Sequence, residues 1–405
     1  MIRSATGTGK TVFLERFVKV NKGFKFICIT SRRTLAAMLG ERLGFTNYQD
    51  IPGGLIACDR IVVQAESLIR LDLKFYNEKV ILILDEFSSL CEQMTSTTTM
   101  GDHHDLNNDI LPEFIRGVSR VICLDADLTN EEVQLVKSLR DDVYVIHNTF
   151  KPQDGDRVML YESESLLIQK VFDWPRCGKR IWISSTLSAN STESLHLQLQ
   201  KEGFNGLCVT KNTAESEKQD IAKNINTVMT GLDYFIHTPT ISVGIDYNIK
   251  GHIDHVVGLF STQSGVNVEP CRQMLRRVRH VKSKTYHIYM DGATNSLPTT
   301  AEAVKEFIIN QGNIVTEHNL YVSGLRLCAQ YGGGVTLSDS FYSRLFTYVL
   351  AKKNLSKNGF RQRFIQQMLD VGCITVGVPG HVAKDNPIIK ARKKMLTTVE
   401  KEECY

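Results

Sequence analysis

A glycine-rich loop near the start of the chain constrains its fold more than any other segment. Residues 4–11 read Ser-Ala-Thr-Gly-Thr-Gly-Lys-Thr. Small residues let backbone N–H groups close around phosphate oxygens, and a helix that follows directs its positive end at the same anion. Lys10 is expected to reach the β- and γ-phosphates, and the Thr11 hydroxyl to bind Mg²⁺. The loop therefore predicts a nucleoside triphosphate site in an α/β fold.

This loop departs from the usual pattern in two ways. Ser4 stands where such loops normally begin with a glycine. Only three residues precede Ser4, which is short for the strand that usually leads into the loop. Either the fold begins unusually close to the loop or the natural N-terminus is missing, and we favour the second. The residues expected to surround the phosphates are Ala5, Thr6, Gly7, Thr8, Gly9, Lys10 and Thr11.

An apolar run that ends in two carboxylates predicts the type of reaction. Residues 80–84 are all aliphatic, and Asp85 and Glu86 follow them. Such a run fits a parallel strand buried on both faces, and an α/β sheet binds its ligand at the carboxyl ends of its strands. Asp85 is expected to hold Mg²⁺, and Glu86 to orient or deprotonate the attacking water. A kinase or a simple nucleotide switch does not need the second carboxylate, so the pair predicts hydrolysis.

The composition argues against several classes of protein. The chain has 405 residues, of which 42% are apolar and 23% charged, and its net charge is +4. No run of about eighteen uncharged apolar residues is present, so we expect no membrane span and no membrane partner. Ten cysteines are scattered without a C-x-x-C pair. This pattern argues against zinc and favours a reducing intracellular compartment, either the nucleus or the cytoplasm.

Apolar strand candidates alternate with helical stretches in two successive blocks. Such alternation is typical of parallel sheets covered by helices on both sides. We therefore predict an ATP-binding lobe over residues 1–150, a second α/β lobe over 151–292, and a mainly helical region over 293–405. Because the second block has no phosphate loop of its own, we expect one ATP cleft between the two lobes.

A glutamine followed by arginines lies after the fourth strand candidate of the second block. The segment contains Gln273, Arg276, Arg277 and Arg279. A solvated basic helix would explain such a run taken by itself. Its position in the chain favours arginine fingers instead, whose guanidinium groups stabilise charge on the γ-phosphate.

Together these motifs resemble those of the superfamily 2 nucleic-acid helicases, and more narrowly those of the herpesvirus-type replication origin-binding protein family. The resemblance implies two RecA-like lobes with ATP and Mg²⁺ as cofactors. It also implies a DNA-stimulated ATPase that unwinds DNA at a replication origin. The matching stretches run in the family's order over about residues 1–290 and are 5–11, 31–34, 63–68, 82–87, 123–129, 237–240, 244–246 and 273–279.

Further roles follow from the resemblance alone. Asp125 and Asp127 lie where helicases couple the two lobes, and Gly244 and Asp246 where the second lobe approaches the nucleotide. In the arginine segment the resemblance directs Gln273 and Arg277 to the γ-phosphate. Arg276 departs from the family's usual glycine, and the second finger is either Arg279 or His280.

Polar residues at predicted strand and helix ends suggest a path for DNA. Turn or cap chemistry would explain each of them individually. As a set they predict a track that contacts the sugar–phosphate backbone of single-stranded or duplex DNA without reading sequence. The predicted DNA-binding residues are Ser31, Arg32, Arg33, Thr34, Gln64, Ser67, Thr186, Thr210 and Thr238.

Three functions are consistent with this sequence. The favoured one is an ATP-dependent DNA helicase or translocase that acts in replication, with other replication proteins as further candidate partners. A second is a DNA-stimulated ATPase that remodels its substrate without separating strands. A third is a DNA-binding relic of a viral or plasmid replication protein whose ATPase is impaired, which Ser4 and Arg276 motivate. The relic is opposed by the intact catalytic positions, which are Lys10, Thr11, Asp85, Glu86 and Arg277.

Overall fold

The computed structural model describes residues 1–76, 78–241, 245–292, 295–312, 327–329 and 335–380. The chain divides into two compact units. The first unit comprises Met1–Phe150 with Ser296–Leu355, and the second comprises Lys151–Asn295 with Ser356–Tyr405. The residues that follow the second lobe in sequence are thus shared between the units.

The strands and helices alternate through most of the described chain. The strands are β1 Ile2–Ser4, β2 Lys25–Thr30, β3 Thr46–Asn47, β4 Arg60–Gln64, β5 Val80–Asp85, β6 Arg120–Asp125, β7 Ile146–Asn148, β8 Arg157–Tyr161, β9 Ile181–Ser185, β10 Gly206–Val209, β11 Tyr234–His237, β12 His255–Phe260, β13 Thr285–Met290, β14 Leu327–Ala329, β15 Val335–Leu337 and β16 Ile374–Val378. The helices are α1 Lys10–Val20, α2 Arg33–Leu43, α3 Phe87–Met94, α4 Thr97–Met100, α5 His104–Gly117, α6 Asn130–Lys137, α7 Glu164–Arg176, α8 Ala189–Lys201, α9 Glu215–Val228, α10 Val268–Leu275, α11 Ala301–Gly312, α12 Phe341–Asn358 and α13 Phe360–Asp370. None of these described helices combines the length and the apolar character that crossing a membrane requires.

Each unit is built on a seven-stranded sheet in which every pair of neighbouring strands is parallel. The order in the first unit is β3-β4-β2-β5-β6-β1-β7, and in the second β10-β11-β9-β12-β13-β8-β16. All six residues of β5 are buried, as its aliphatic run predicts. These sheets confirm the predicted α/β class.

The strand order decides where the site lies in the first unit. Strand β6 pairs with β5 on one side and with β1 on the other. Because parallel strands end at the same edge of a sheet, the segments that follow β1, β5 and β6 are neighbours. The phosphate loop, the carboxylate pair and Asp125 begin at these three ends.

The C-terminal part of the chain completes the second unit. Strand β16 pairs with β8 at the edge of the sheet. Helix α13 buries Phe360, Phe364 and Met368, whose spacing places them on one face of a helix. The ring of Phe364 packs 5.9 Å from that of Phe260 in β12, centroid to centroid. The second α/β core therefore depends on residues beyond 356.

Replacing Phe364 by Ala should lower the free energy of unfolding of the second unit by about 3–5 kcal/mol, because a fully buried ring is lost and a cavity is left. The chain has two tryptophans, Trp174 and Trp182, and both lie in this unit. Their fluorescence during urea denaturation therefore reports its unfolding.

Leu369→Ala in the same helix is the control. This side chain is 41% exposed, so its removal should change the free energy of unfolding by no more than about 1 kcal/mol. Equal losses in the two variants would show that α13 is not part of the core.

Candidate nucleotide and nucleic-acid site

The phosphate loop adopts a backbone conformation that requires its glycines. Gly7 has a φ of 84° and Gly9 a φ of 88°, in the left-handed region that residues with a side chain rarely adopt. Gly9 immediately precedes α1, so the loop leads directly to the positive N-terminus of that helix. A loop that leads into a helix N-terminus is a common anion-binding arrangement, so phosphate binding stays the prediction for this loop.

Ser4 has a structural role that a glycine could not fill. Its Oγ lies 2.6 Å from Thr8 Oγ1 and accepts a 3.0 Å hydrogen bond from Asn148 Nδ2. Thr8 Oγ1 in turn donates to the Ala5 carbonyl oxygen at 2.7 Å. The unusual residue at the start of the loop thus ties the loop to itself and to the end of β7.

Lys10 lies at the centre of the negative charges of the site. Its Nζ donates to the carbonyl oxygens of Ser4 at 2.7 Å and Ala5 at 3.2 Å. Burial lowers the pKa of Lys10, and surrounding carboxylates oppose this shift. Those carboxylates belong to Asp125, Asp85, Glu86 and Asp127. The structure therefore brings together the predicted phosphate-binding, metal-binding and coupling residues of the first unit.

The carboxylate pair after β5 provides buried oxygen atoms. Asp85 is 6% exposed, and burial together with the negative charge of Glu86 raises its pKa to about 7. Glu86 has a φ of 52°, which is strained for a residue with a side chain. Its buried Oε2 has no hydrogen-bond partner within the described residues. Oxygen donors of this kind fit Mg²⁺, whose charge would compensate the buried carboxylates.

Asp125 connects two loops at the edge of this sheet. Its Oδ2 accepts a 2.8 Å hydrogen bond from the backbone N–H of Ser88, in the first turn of α3. Its Oδ1 accepts a 2.7 Å bond from the backbone N–H of Asp127. Burial and the charge of Asp127 raise its pKa to about 7. Asp125 thereby fixes the start of the helix that immediately follows Glu86.

The predicted DNA-binding residues of the first unit lie around the start of α2. Gln64 Nε2 donates to the Ser31 carbonyl oxygen at 3.3 Å, and Gln64 Oε1 accepts from Tyr48 at 2.8 Å. Arg33 also forms a hydrogen bond with the Tyr48 side chain. Arg32 interacts with the charges of Glu86 and Glu92, which raise its pKa against the effect of burial. Tyr48 therefore links Gln64 to Arg33. The sequence analysis missed this tyrosine, because a tyrosine in a turn does not by itself indicate a contact with other site residues.

The predicted DNA-binding threonines of the second unit lie at the ends of three adjacent strands. Thr210, Thr238 and Thr186 directly follow β10, β11 and β9, and all three are buried. Thr210 Oγ1 donates to Glu193 at 2.5 Å, and Thr186 Oγ1 accepts from the Ser261 backbone N–H at 2.9 Å. The structure therefore brings them to one edge, but these hydroxyls already have partners inside the unit.

Ser67 and Thr34 complete the predicted track of the first unit. Ser67 lies in the short 3-10 turn Ala65–Arg70 and Thr34 in the first turn of α2, and both are half-buried. They follow the ends of the adjacent strands β4 and β2. The residues of the first unit therefore share one edge of its sheet.

The arginine segment begins on α10 and continues beyond it. Gln273 lies in the helix, which ends at Leu275, so the arginines follow the helix. Arg276 is buried and donates to the Tyr286 hydroxyl at 3.2 Å, which explains how a large side chain replaces the usual glycine. Arg277, also buried, accepts a 2.8 Å bond on its carbonyl oxygen from the Tyr247 N–H.

The remaining predicted nucleotide contacts of the second unit interact with each other. Arg279 Nε forms an ion pair with Asp246 Oδ1. His280, the alternative second finger, is exposed. Gly244 lies outside the described residues. The ion pair therefore brings two of the predicted nucleotide contacts, Arg279 and Asp246, next to each other.

A buried histidine, the first residue of the matching stretch 237–240, interacts with the charge of Arg277, and the sequence analysis assigned it no role of its own. His237 ends β11, is fully buried, and has its Nε2 2.9 Å from Ser184 Oγ. Burial lowers its pKa to about 3, and the nearby charge of Arg277 acts in the same direction. This histidine is therefore neutral, and Arg277 lies within electrostatic range of it.

Thr129 and Glu132 form a second feature that the sequence analysis missed. The Thr129 hydroxyl accepts from the Glu132 N–H, and the Glu132 carboxylate accepts from the Thr129 N–H, which closes a capping box at the start of α6. The spacing Thr-x-x-Glu is a recognised sequence signal for this arrangement. The box fixes the end of the loop that starts at Asp125.

Comparison with known proteins agrees with the motifs. Residues 1–168 match the family model described as "Origin of replication binding protein", which confirms the resemblance seen in sequence. The "Putative helicase/primase complex protein" of African swine fever virus is 28% identical over 392 residues. The "Replication origin-binding protein" of Gallid herpesvirus 2 is 22% identical over 361 residues, which cover 77% of this chain.

The relatives are much longer than this chain. The match covers 92% of the chain but 36% of the African swine fever virus protein, and 43% of the herpesvirus protein. Among solved structures, S. cerevisiae Dbp5 bound to RNA and ADP BeF3 has a TM-score of 0.54 and 14% identity, and the match covers 98% of this chain and 88% of that one. This likeness shows the fold, and the two sheets are RecA-like as predicted.

Acid should destabilise the second unit through its buried histidines. Burial lowers the pKa of both His237 and His287 to about 3, from an ordinary value of 6.5. Below about pH 6.5 the unfolded chain takes up protons that the folded unit excludes. Between pH 6.5 and 5 the free energy of unfolding should therefore fall by about 2 kcal/mol for each histidine. Urea denaturation followed by tryptophan fluorescence at pH 7.5, 6.5 and 5 measures this loss.

His237→Gln should remove one histidine's share of the pH dependence. His280→Gln, which changes an exposed histidine, should leave it unaltered. A free energy of unfolding that is the same at pH 7.5 and pH 5 in the unsubstituted protein would contradict the buried, neutral state of these side chains.

Proposed function

We propose that this protein is an ATP-dependent DNA helicase or translocase that couples ATP hydrolysis in the first unit to movement on DNA during replication. One observation carries the proposal: Lys10, Asp85, Glu86 and Asp125 converge on the ends of adjacent strands. Glu86 there keeps a buried carboxylate oxygen without a hydrogen-bond partner among the described residues. The names of the relatives and the RecA-like fold support the same function.

Phosphate binding uses the loop and the helix behind it. The backbone N–H groups of the loop and the N-terminus of α1 bind the phosphate oxygens, and the Lys10 ammonium neutralises charge on the β- and γ-phosphates. Thr11 and Asp85 would hold Mg²⁺, which when bound would neutralise charge on the phosphates. The loop therefore holds ATP with its γ-phosphate close to the carboxylates.

The proposed role of Glu86 is to position the attacking water. Its carboxylate accepts a hydrogen bond from a water and orients it towards the γ-phosphorus. As the new P–O bond forms, the bond to the β–γ bridging oxygen breaks and ADP leaves. The water's proton passes to Glu86 or to the phosphate product. Asp125, through the Ser88 N–H, keeps the segment after Glu86 in place.

The arginine segment of the second unit supplies positive charge for this reaction. Arg277 would stabilise charge that develops on the γ-phosphoryl group, with Gln273 beside it and Arg279 held by Asp246. Burial and the charge of Arg277 lower the pKa of His237, so the imidazole beside the Arg277 guanidinium is neutral.

DNA binding is proposed for the edge that carries Ser31, Arg33 and Gln64. The N-terminus of α2 and the Arg33 guanidinium provide donors for backbone phosphates, independent of base sequence. The interaction of Arg32 with Glu86 offers a connection between this edge and the hydrolysis site. Other replication proteins are proposed as partners, in keeping with the relatives named for a helicase/primase complex and for origin binding.

Glu86→Gln should lower kcat for ATP hydrolysis by about 100-fold or more and leave ATP affinity within about threefold, because the amide keeps the size of the side chain but cannot take a proton. Phosphate release measured with and without single-stranded DNA gives kcat and its stimulation, and titration with a fluorescent ATP analogue gives the affinity.

The same change at an exposed glutamate of α6, Glu131→Gln, is the control and should leave both quantities unaltered. If affinity fell as steeply as kcat, Glu86 would be a ligand of the metal and not the residue that positions water. If the unsubstituted protein hydrolysed no ATP with or without DNA, the proposed function would be wrong.

Arg277→Ala should lower kcat by about 100-fold with little change in ATP affinity, since its contribution is larger in the transition state than in the ground state. Lys282→Ala removes a cation of the same unit whose side chain is 56% exposed, and should have no effect on kcat. Steady-state kinetics of both variants, with thermal unfolding to check the fold, make the comparison. Loss of ATP affinity in parallel with kcat would overturn the assignment of Arg277.

A further inference from the structure

Helix α12 contacts the loop that follows β6 through two side chains one turn apart. The Tyr348 hydroxyl donates to Glu132 Oε1 at 3.0 Å and lies 2.8 Å from Thr129 Oγ1. Lys352 Nζ donates to the same Glu132 oxygen at 3.4 Å. Residues four apart lie on one face of a helix, so one face of α12 contacts both Glu132 and Thr129.

These contacts are shielded from water. The Glu132 side chain is fully buried, and that of Lys352 is 5% exposed. Glu132 Oε2 meanwhile accepts the Thr129 N–H at 2.8 Å in the capping box. One carboxylate thus holds the start of α6 with one oxygen and α12 with the other. Because loss of either partner would leave a buried charge uncompensated, the Lys352–Glu132 pair favours this position of α12.

The loop between Asp125 and Thr129 is therefore held at both ends. At the Asp125 end, the carboxylate binds the N–H groups of Ser88 and Asp127, at 2.8 and 2.7 Å. At the other end, Thr129 is held by Glu132 and Tyr348. Only three residues separate the two ends, so a shift of Thr129 is transmitted to Asp125.

Resting on the proposed ATPase, we propose that Tyr348 and Lys352 are positioning residues of the nucleotide site. They hold the loop 125–129 so that Asp125 fixes the first turn of α3 and, with it, the backbone of Glu86. Neither side chain touches the nucleotide in this proposal. Their contribution is to the rate of hydrolysis and not to the binding of ATP, because a misplaced general base slows the chemical step.

Tyr348→Phe is the decisive substitution, because it removes the hydroxyl and keeps the ring. Leu345 and Val349 on the same helix are buried, so α12 stays packed without the hydroxyl. Lys352→Met would leave Glu132 buried without its cation and endanger folding. The matched control is Tyr342→Phe in the same helix, whose ring packs against His104 at 4.9 Å and not against the capping box.

In Tyr348→Phe we expect kcat for DNA-stimulated ATP hydrolysis to fall about tenfold or more while KM for ATP stays within about threefold. Tyr342→Phe should match the unsubstituted protein in both. A purely structural role of Tyr348 would lower the midpoint of thermal unfolding without this split between kcat and KM. The proposal is overturned if kcat is unchanged, or if KM for ATP rises by as large a factor as kcat falls.

Hydrogen–deuterium exchange gives a second measurement that does not depend on ATP hydrolysis. The amides of Ser88 and Asp127, which donate to Asp125, should exchange faster in Tyr348→Phe and at the normal rate in Tyr342→Phe. Unchanged exchange at both amides overturns the positioning role. If the unsubstituted protein hydrolyses no ATP, the proposed function fails, and these two amides alone decide whether α12 positions the loop.

Discussion

The parallel pairing of β5, β6 and β1 is the constraint on which the candidate site depends. These three neighbouring strands end at one edge of the sheet. The phosphate loop, the pair Asp85 and Glu86, and Asp125 therefore come together although they are far apart in the sequence. The aliphatic residues of β5 are all buried, which fixes the register of β5 against its neighbouring strands. That register determines where Asp85 lies at the edge of the sheet. The geometry of the site is thus a consequence of the core beneath it.

This convergence concentrates buried negative charge, and the fold balances it in two ways. Asp125 accepts two backbone N–H groups, and Lys10 lies among all of the carboxylates. At Asp85, burial and the charge of Glu86 raise the pKa, and the charge of Lys10 and a hydrogen bond from the Glu86 backbone oppose this only in part. A site whose buried carboxylates are only partly compensated gains stability from a bound cation, because the cation's charge offsets the cost of removing the carboxylates from water. The electrostatics and the proposed chemistry therefore agree.

The C-terminal helices extend this organisation beyond the recognised motifs. In the first unit, α12 holds the capping box of α6 through Tyr348 and Lys352. In the second unit, α13 binds the helix that carries Gln273, because Arg363 donates to Glu269 at 2.9 Å and Gln367 donates to the same oxygen at 2.8 Å. Each unit therefore has a C-terminal helix bound to a segment that carries candidate functional residues.

The sequence by itself determined the local features of this protein. The glycines at 7 and 9, the apolar run before Asp85 and the alternation of elements predicted the loop, the buried strand and the α/β class, because each depends on backbone conformation or burial of neighbouring residues. Only the tertiary structure decided that Arg276 bonds to Tyr286 and that Glu132 meets Lys352, which lies 220 residues away. Such contacts depend on how helices and strands that are distant in the sequence pack together. A pattern of neighbouring residues does not specify that packing.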